Sequence, residues 1–298
     1  MEGAFTKNRL EALSANLEKR LQVHLVTLGS SGSGSVIDIR ADYARVIASE
    51  TLCDLFGVPQ ASWPEAKQAM ANLLEPSTDS RVAATQINDA MSFLSSLLSS
   101  KQRASGDDMP TTLIQSTEMT DEERVLALAV TIAGGVPATT DLITNAVLNL
   151  LRNPEQLRAL KDQEVLWSSA IEETLRFDGP VQHMPLRYAV EDIDLGEDVV
   201  ISRGEPVIMG FGAGGRDPET HGETAETFDI HRRNKEHIAF GHGVHYCIGA
   251  PLGRVEAAVA LPALFEHFPH LELADSAEAL QPLPTFIFNG KVKLPVRL

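Results

Sequence analysis

Phe240-Gly241-His242-Gly243-Val244-His245-Tyr246-Cys247-Ile248-Gly249 is the stretch that decides the fold of this chain. It sets three glycines and a cysteine directly before the helix-forming run Ala250 to Phe268. Glycines at that density allow tight turns and let the backbone come close to something flat or bulky. A cysteine at the mouth of a following helix has its thiolate favoured by the helix dipole and by free backbone N–H groups. Two other readings compete. A lone cysteine is commonly a small buried hydrophobe, and Cys53 reads that way. Zinc is the other, because His237, His242 and His245 lie near Cys247. Their spacing does not reproduce the paired ligands of structural zinc sites.

Working outward, the 298 residues are enough to bury a substantial core. Hydrophobic residues at 43% and charged ones at 22% are ordinary for a globular protein. No apolar run reads as long enough to span a bilayer, and no signal-peptide pattern opens the chain, so the expectation is a cytoplasmic protein without a membrane partner. Two cysteines leave no disulfide framework. A net charge of −16 argues against nucleic acid as a partner.

Apolar positions at Leu10, Leu13, Leu17, Leu21, Leu25 and Leu28 predict a helix over 4–28. The Gly29–Ser35 run reads as an internal loop. Further helices are expected at Asp38–Phe56, Trp63–Leu74, Arg81–Gln102 and Asp121–Arg152, with a polar turn at Ser105–Pro110. Thr120 and Glu123 form a capping box at the start of the longest helix. After Arg176 short β-like runs follow at Leu186–Val190, Val199–Ile201 and Pro206–Met209. Pro284–Phe288 and Val292–Leu298 suggest a closing hairpin. The pattern is mainly α with a small β region, read as one domain over 1–298. Its helical part is about 1–176, and its β-containing part about 177–298.

A thiolate on a Gly-rich loop is what a heme iron needs as an axial ligand. The Phe240–Gly249 segment resembles the cysteine-ligand loop of the cytochrome P-450 family, bacterial heme-thiolate monooxygenases, at every defining position. Ile171-Glu172-Glu173-Thr174-Leu175-Arg176 resembles the family's Glu-x-x-Arg, and Arg232 stands where the family places that pair's third partner. The resemblance implies heme b as cofactor, with Cys247 as its metal ligand. Phe240, Gly241 and Gly249 would be the loop positions beside the heme, and Arg187 and His245 the propionate anchors. Glu173, Arg176 and Arg232 would be a structural brace. Val136, His183, Met184, Phe286 and Ile287 match substrate-contact regions. It also implies a small organic substrate, in the setting of secondary metabolism, and a separate ferredoxin-type electron donor. That donor would dock near Arg232, Arg233, Lys235 and Arg254.

One segment departs from the family. Family members carry Ala/Gly-Gly-x-Asp/Glu-Thr over the iron, where the acid and alcohol relay protons. Here Gly134 and Gly135 are kept, but Pro137 replaces the acid and Ala138 the alcohol, with Thr139 one position late. Pro137 is expected to open the helical hydrogen-bond ladder, and oxygen activation is expected to be atypical. The family's pattern also begins well before residue 1, so the fold is expected to lack its N-terminal portion. Association with itself or a completing partner follows from sheet edges left open. A non-catalytic scaffold role is the alternative from another class.

Overall fold

Capping side chains start several of the helices in the computed structural model, which describes residues 2–30, 32, 34–196 and 198–298. Helix α1 (Lys7–Gly29) is followed by strand β1 (Val36–Asp38) and α2 (Arg45–Leu55). Then come α3 (Trp63–Leu74), α4 (Ser80–Arg103), α5 (Met109–Gln115) and α6 (Asp121–Arg152). Helices α7 (Pro154–Lys161) and α8 (Trp167–Asp178) lead into strands β2 (His183–Tyr188), β3 (Ile193–Asp194), β4 (Val200–Ile201) and β5 (Pro206–Gly210). Short helices α9 (Phe211–Gly214) and α10 (Pro218–His221) precede α11 (Ala250–His267), and strands β6 (Glu272–Leu273) and β7 (Pro295–Arg297) close the chain.

The caps explain where sequence and structure agree and where they differ. At the head of α6 the Thr120 hydroxyl accepts from the Glu123 N–H at 3.2 Å, and the Glu123 carboxylate accepts from the Thr120 N–H at 2.7 Å. In the expected turn Ser105–Pro110, Asp108 instead caps α5, its side chain accepting from the Thr111 N–H at 2.9 Å with Pro110 in the first turn. The expected helix Asp38–Phe56 begins as β1. Asp38 then caps a π-helical turn over Ile39–Ala44, and α2 takes over at Arg45. That turn directs Tyr43 inward, where its hydroxyl donates to the Ala260 carbonyl at 2.7 Å.

The sheets are small. Strand β7 lies between β1 and β6, antiparallel to both, with Arg297 opposite Val36 and Glu272. The expected hairpin of Pro284–Phe288 with Val292–Leu298 is therefore corrected. Pro282 and Pro284 offer no N–H to a ladder, and β7 finds partners on either side. Only isolated bridges, Pro282 to Lys291 and Val181 to Phe288, mark the preceding turn. Strands β2 and β5 pair antiparallel, with an irregularity between Met184 and Arg187 where Leu186 takes φ +68°.

Helix α6 joins two apolar cores. One gathers α2 to α5 and the first half of α6, around Phe56, Leu94, Met109 and Leu128. The other gathers the second half of α6 with α1, α8 and α11, around Leu25, Ile143, Leu264 and Phe265. Each such side chain contributes about 1.5–3 kcal/mol on burial. By length and composition α6 is apolar enough to cross a membrane, unlike the expectation for this chain. Its apolarity is accounted for by the neighbours it packs on, α2, α4, α8 and α11.

Candidate active site

The Gly-rich loop folds back on itself. The Cys247 N–H donates to the Phe240 carbonyl at 2.8 Å, and the Tyr246 N–H to Gly243 at 3.0 Å. Gly241 and Gly243 sit at φ +74° and +65°, a region that side chains with a Cβ rarely adopt. A clamp from α8 holds this loop. The Arg254 guanidinium donates to both Glu172 oxygens, at 2.6 and 3.0 Å, and lies 4.5 Å from the centre of the Phe240 ring. The His237 ring is hydrogen-bonded to the same carboxylate at 3.0 Å. Burial alone would raise Glu172; His237 and Arg254 together hold it at about 2. With His237 so engaged, no three His, Cys, Asp or Glu side chains converge as a metal site among the described residues.

Cys247 opens onto a cavity of about 660 Å³. The thiol still lies above its ordinary pKa. Desolvation outweighs the Gly249 and Ala250 N–H groups and Arg254, which pull the other way. The helix mouth thus supplies the expected donors but does not set the net direction. Gly134, Gly135, Ala138 and Thr139 of α6 form one wall. A Cβ at Gly134 would meet no protein atom within 4 Å, so that part of the wall is free.

The sequence candidates divide at this cavity. Phe240, Gly241, His245, Cys247, Gly249, Arg187, Met184 and Ile287 all line it. Val136 does not; it is buried in the core around α2 to α5. Pro137, His183 and Phe286 also lie outside the lining, and His183 bonds to the Phe286 carbonyl at 2.7 Å. Pro137 leaves α6 unbroken from Asp121 to Arg152. The expected opening of the ladder there is reduced to one missing N–H.

Behind the loop, Glu173 and Arg176 are fully buried and paired through two bonds of 2.9 and 2.7 Å. Arg176 spends its remaining donors on the carbonyls of Gly215, Ala225 and Thr227 at 2.7 to 2.9 Å. Arg232 approaches Glu173 at 3.6 Å and donates to the His221 carbonyl at 3.1 Å. Gly215 has to be glycine, because a Cβ there would stand 2.0 Å from the Arg176 carbonyl oxygen.

The cationic patch expected to receive an electron donor is mostly committed internally. Arg232 is turned inward, Lys235 donates to the Arg232 carbonyl and Arg254 is held by Glu172. Arg233 is left exposed.

Sequence reading missed one residue, Glu256 of α11. It is buried at the cavity wall and accepts from the Thr139 hydroxyl at 3.0 Å. The signal was present. Leu252, Glu256, Ala260 and Leu264 recur every four residues along one buried stripe, and only one of them is charged. Desolvation raises its carboxyl to about 8, against weak opposition from the Thr139 and Thr51 hydroxyls. Between the ordinary glutamate range and pH 8 the folded protein therefore holds a proton that the unfolded chain has released. Stability should fall as pH rises through that window and be fully present below it. Denaturant midpoints between pH 5 and 9 check this, and Glu256→Gln should flatten the slope.

An apolar cavity lined by a thiol, by glycines of α6, and by Arg187, His242 and His245 fits heme. The Arg187 guanidinium and the imidazole N–H groups are donors suited to its two carboxylates, and the glycines leave room for a flat ring. The cytochrome P450 family pattern matches residues 48–288. The chain is 32% identical over 299 residues to a 2-hydroxy-5-methyl-1-naphthoate 7-hydroxylase of Streptomyces carzinostaticus, covering 99% of this chain and 73% of that one. Among solved structures it resembles CYP154C4 of a Streptomyces species, with TM-score 0.92, 37% identity, and coverage of 100% and 74%. It also resembles CYP154A1 of Streptomyces coelicolor, with TM-score 0.89, 38% identity, and coverage of 100% and 76%. The chain belongs to the cytochrome P450 family and is a monooxygenase-type oxidoreductase that works with heme b, a small-molecule substrate and a redox partner.

Proposed function

We propose that this enzyme oxidises a small, largely apolar organic molecule of secondary metabolism, with Cys247 holding the heme iron. The single observation that carries the reading is the one cavity lined both by Cys247 and by Gly134 and Gly135 of α6. Heme held through this thiolate would supply dioxygen activation, the thiolate favouring O–O cleavage. Arg187 and His245 would hold its carboxylates. Met184, Ile287 and Val181 present apolar surface that excludes water and selects an apolar substrate. Phe240, under Arg254, stiffens the loop that carries the sulfur.

Oxygen activation here is atypical, because no acid or alcohol stands at Pro137 and Ala138. Electrons come from a ferredoxin-type protein in the cytoplasm that meets the loop face near Arg233. The open edges of the β2–β5 pair, with Leu186, Tyr188 and Ile208 exposed, favour self-association. The test is the reduced carbon monoxide difference spectrum of the purified protein, followed by Soret titration with apolar aromatics and macrolides. A thiolate-type band that shifts with a subset of these compounds is expected. A folded protein that takes up no heme would overturn the reading.

A further inference from the structure

The second half of α6 carries a buried polar stripe. Asp141, Asn145 and Asn149 stand four residues apart on one side of the helix, and all three are buried. A helix that had only to pack there would do so with apolar side chains, because a buried polar group is costly unless it is bonded. The bonds show what the stripe holds. Asn145 donates to the carbonyls of Asp178 and Asn289 at 2.9 and 2.7 Å, and Asn149 donates to the Asp178 carboxylate at 3.2 Å. The Asn289 side chain donates to that same carboxylate at 2.7 Å, and its N–H to the Pro180 carbonyl at 2.9 Å. Two segments are thereby anchored to α6. Each runs straight into the cavity wall, one at Pro180 and Val181, the other at Ile287 and Phe288.

Asp141 is the charged member of the stripe. Its carboxylate pairs with Arg40 of the π-helical turn, and Gly290 lies directly on it, so that a Cβ at Gly290 would overlap the carboxylate. The second Asp141 oxygen, Oδ2, is buried and finds no protein donor. Four residues beyond Gly290, Leu294 is fixed to the same turn. Its carbonyl accepts from the Ile39 N–H at 2.9 Å, and its N–H donates to the Asp38 carboxylate at 2.9 Å. The turn, α6 and the segment from Asn289 to Leu294 all meet at Asp141.

We propose that Arg40 and Asp141 are positioning residues for the substrate: their ion pair seats Gly290, and Gly290 sets how far Ile287 and Phe288 reach into the cavity. The inference rests on that cavity being the oxidation site proposed above. The charged groups acting on Asp141 are Arg40 and, from α2, Arg45. The C-terminal segment presents the backbone of Gly290 to it, and no ion pair reaches it from α8 or α11 among the described residues. Burial raises its carboxyl to about 6, against the pull of both arginines. Above that pH the carboxylate holds Arg40 as an ion pair. Below it the group takes up a proton from solvent, the attraction weakens and the seat loosens. Affinity for a molecule that touches Ile287 and Phe288 should therefore fall as the pH drops from 7 to 5.

Asp141→Asn imitates the protonated acid, and Arg40→Met removes its partner. Heme-loaded protein is titrated in the Soret region with 1-phenyl-1,2,4-triazole, which has an aryl arm, and with 1-methyl-1,2,4-triazole, which has none. Neither ligand titrates between pH 5 and 7. Affinity for the phenyl compound should fall several-fold in both variants at pH 7, with affinity for the methyl compound unchanged. From pH 7 to 5 the unsubstituted protein should lose phenyl-triazole affinity, and Asp141→Asn should show a flat profile. A second readout needs no heme. Amide protection factors over 285–290 should drop in Asp141→Asn, and in the unsubstituted protein at pH 5. Unchanged phenyl-triazole affinity, equal losses for both triazoles, or protection indifferent to substitution and pH would overturn the proposal. A protein that takes up no heme would overturn the proposed function instead, and amide exchange would then decide the seat alone. If Arg40→Met fails to fold, Asp141→Asn and the pH series of the unsubstituted protein carry the test.

Discussion

Cys247→Ala protein is expected to fold normally and to lose the thiolate-type carbon monoxide band completely. The two halves of that outcome rest on different atoms. The loop is closed by the backbone bond from Cys247 to Phe240, and by Arg254 and His237 on Glu172; none of these uses the cysteine sulfur. The proposed bond to iron would depend on that sulfur alone. Side-chain truncation at an exposed position leaves no cavity in the core, so the loss of stability should be under about 1 kcal/mol. Arg187→Ala and His245→Ala should behave differently, keeping the band but loosening the heme. One charge-assisted hydrogen bond is worth about 1.5–3 kcal/mol, or about 10- to 100-fold in heme affinity. A thiolate-type band that survived in Cys247→Ala would remove the residue from the iron.

The largest stability effect is expected at Arg176. Replacing it with leucine leaves Glu173 fully buried and without its two guanidinium bonds, keeping only the Asp229 N–H at 2.8 Å as a close donor. Breaking a buried pair from one side costs about 3–5 kcal/mol. The carbonyls of Gly215, Ala225 and Thr227 lose their donor at the same time. Arg232 cannot take over, being 3.6 Å from Glu173 and engaged with His221. Lysine should rescue little, since it cannot reproduce a planar fork with five donors. Urea midpoints of Arg176→Leu, Arg176→Lys and the unsubstituted protein measure this. A loss under about 1 kcal/mol for leucine would show that the network contributes little.

Much of this was legible in the sequence because local signals and tertiary demands coincide. Thr120 with Glu123, and the Gly-Cys loop before an apolar helix, define their own geometry within a few residues. Helix α5 was hidden because Asp108 serves equally well in a turn and as a cap. Val136 matches a substrate-contact region of the family, but the turn of the helix carries it away from the cavity and into the core. The internal commitment of the docking cations is hidden in the sequence, which shows charge and not its partner; Glu172, the partner of Arg254, lies 82 positions away. Glu256 escaped for a related reason. Its Thr139 contact bridges two helices far apart in the chain, and its place on an otherwise apolar stripe of α11 marks it as buried without showing that partner.

Helix α6 is 32 residues long, or about 48 Å at the standard rise, and it supplies a wall to both apolar cores. Neither core can melt while the other keeps its share of that helix intact without leaving half of an apolar rod in water. The two halves of the protein are thereby tied into one cooperative unit. Damage in the core around α2 to α5 is felt in the core around α1, α8 and α11 through a shared backbone, with no side chain needing to carry the message.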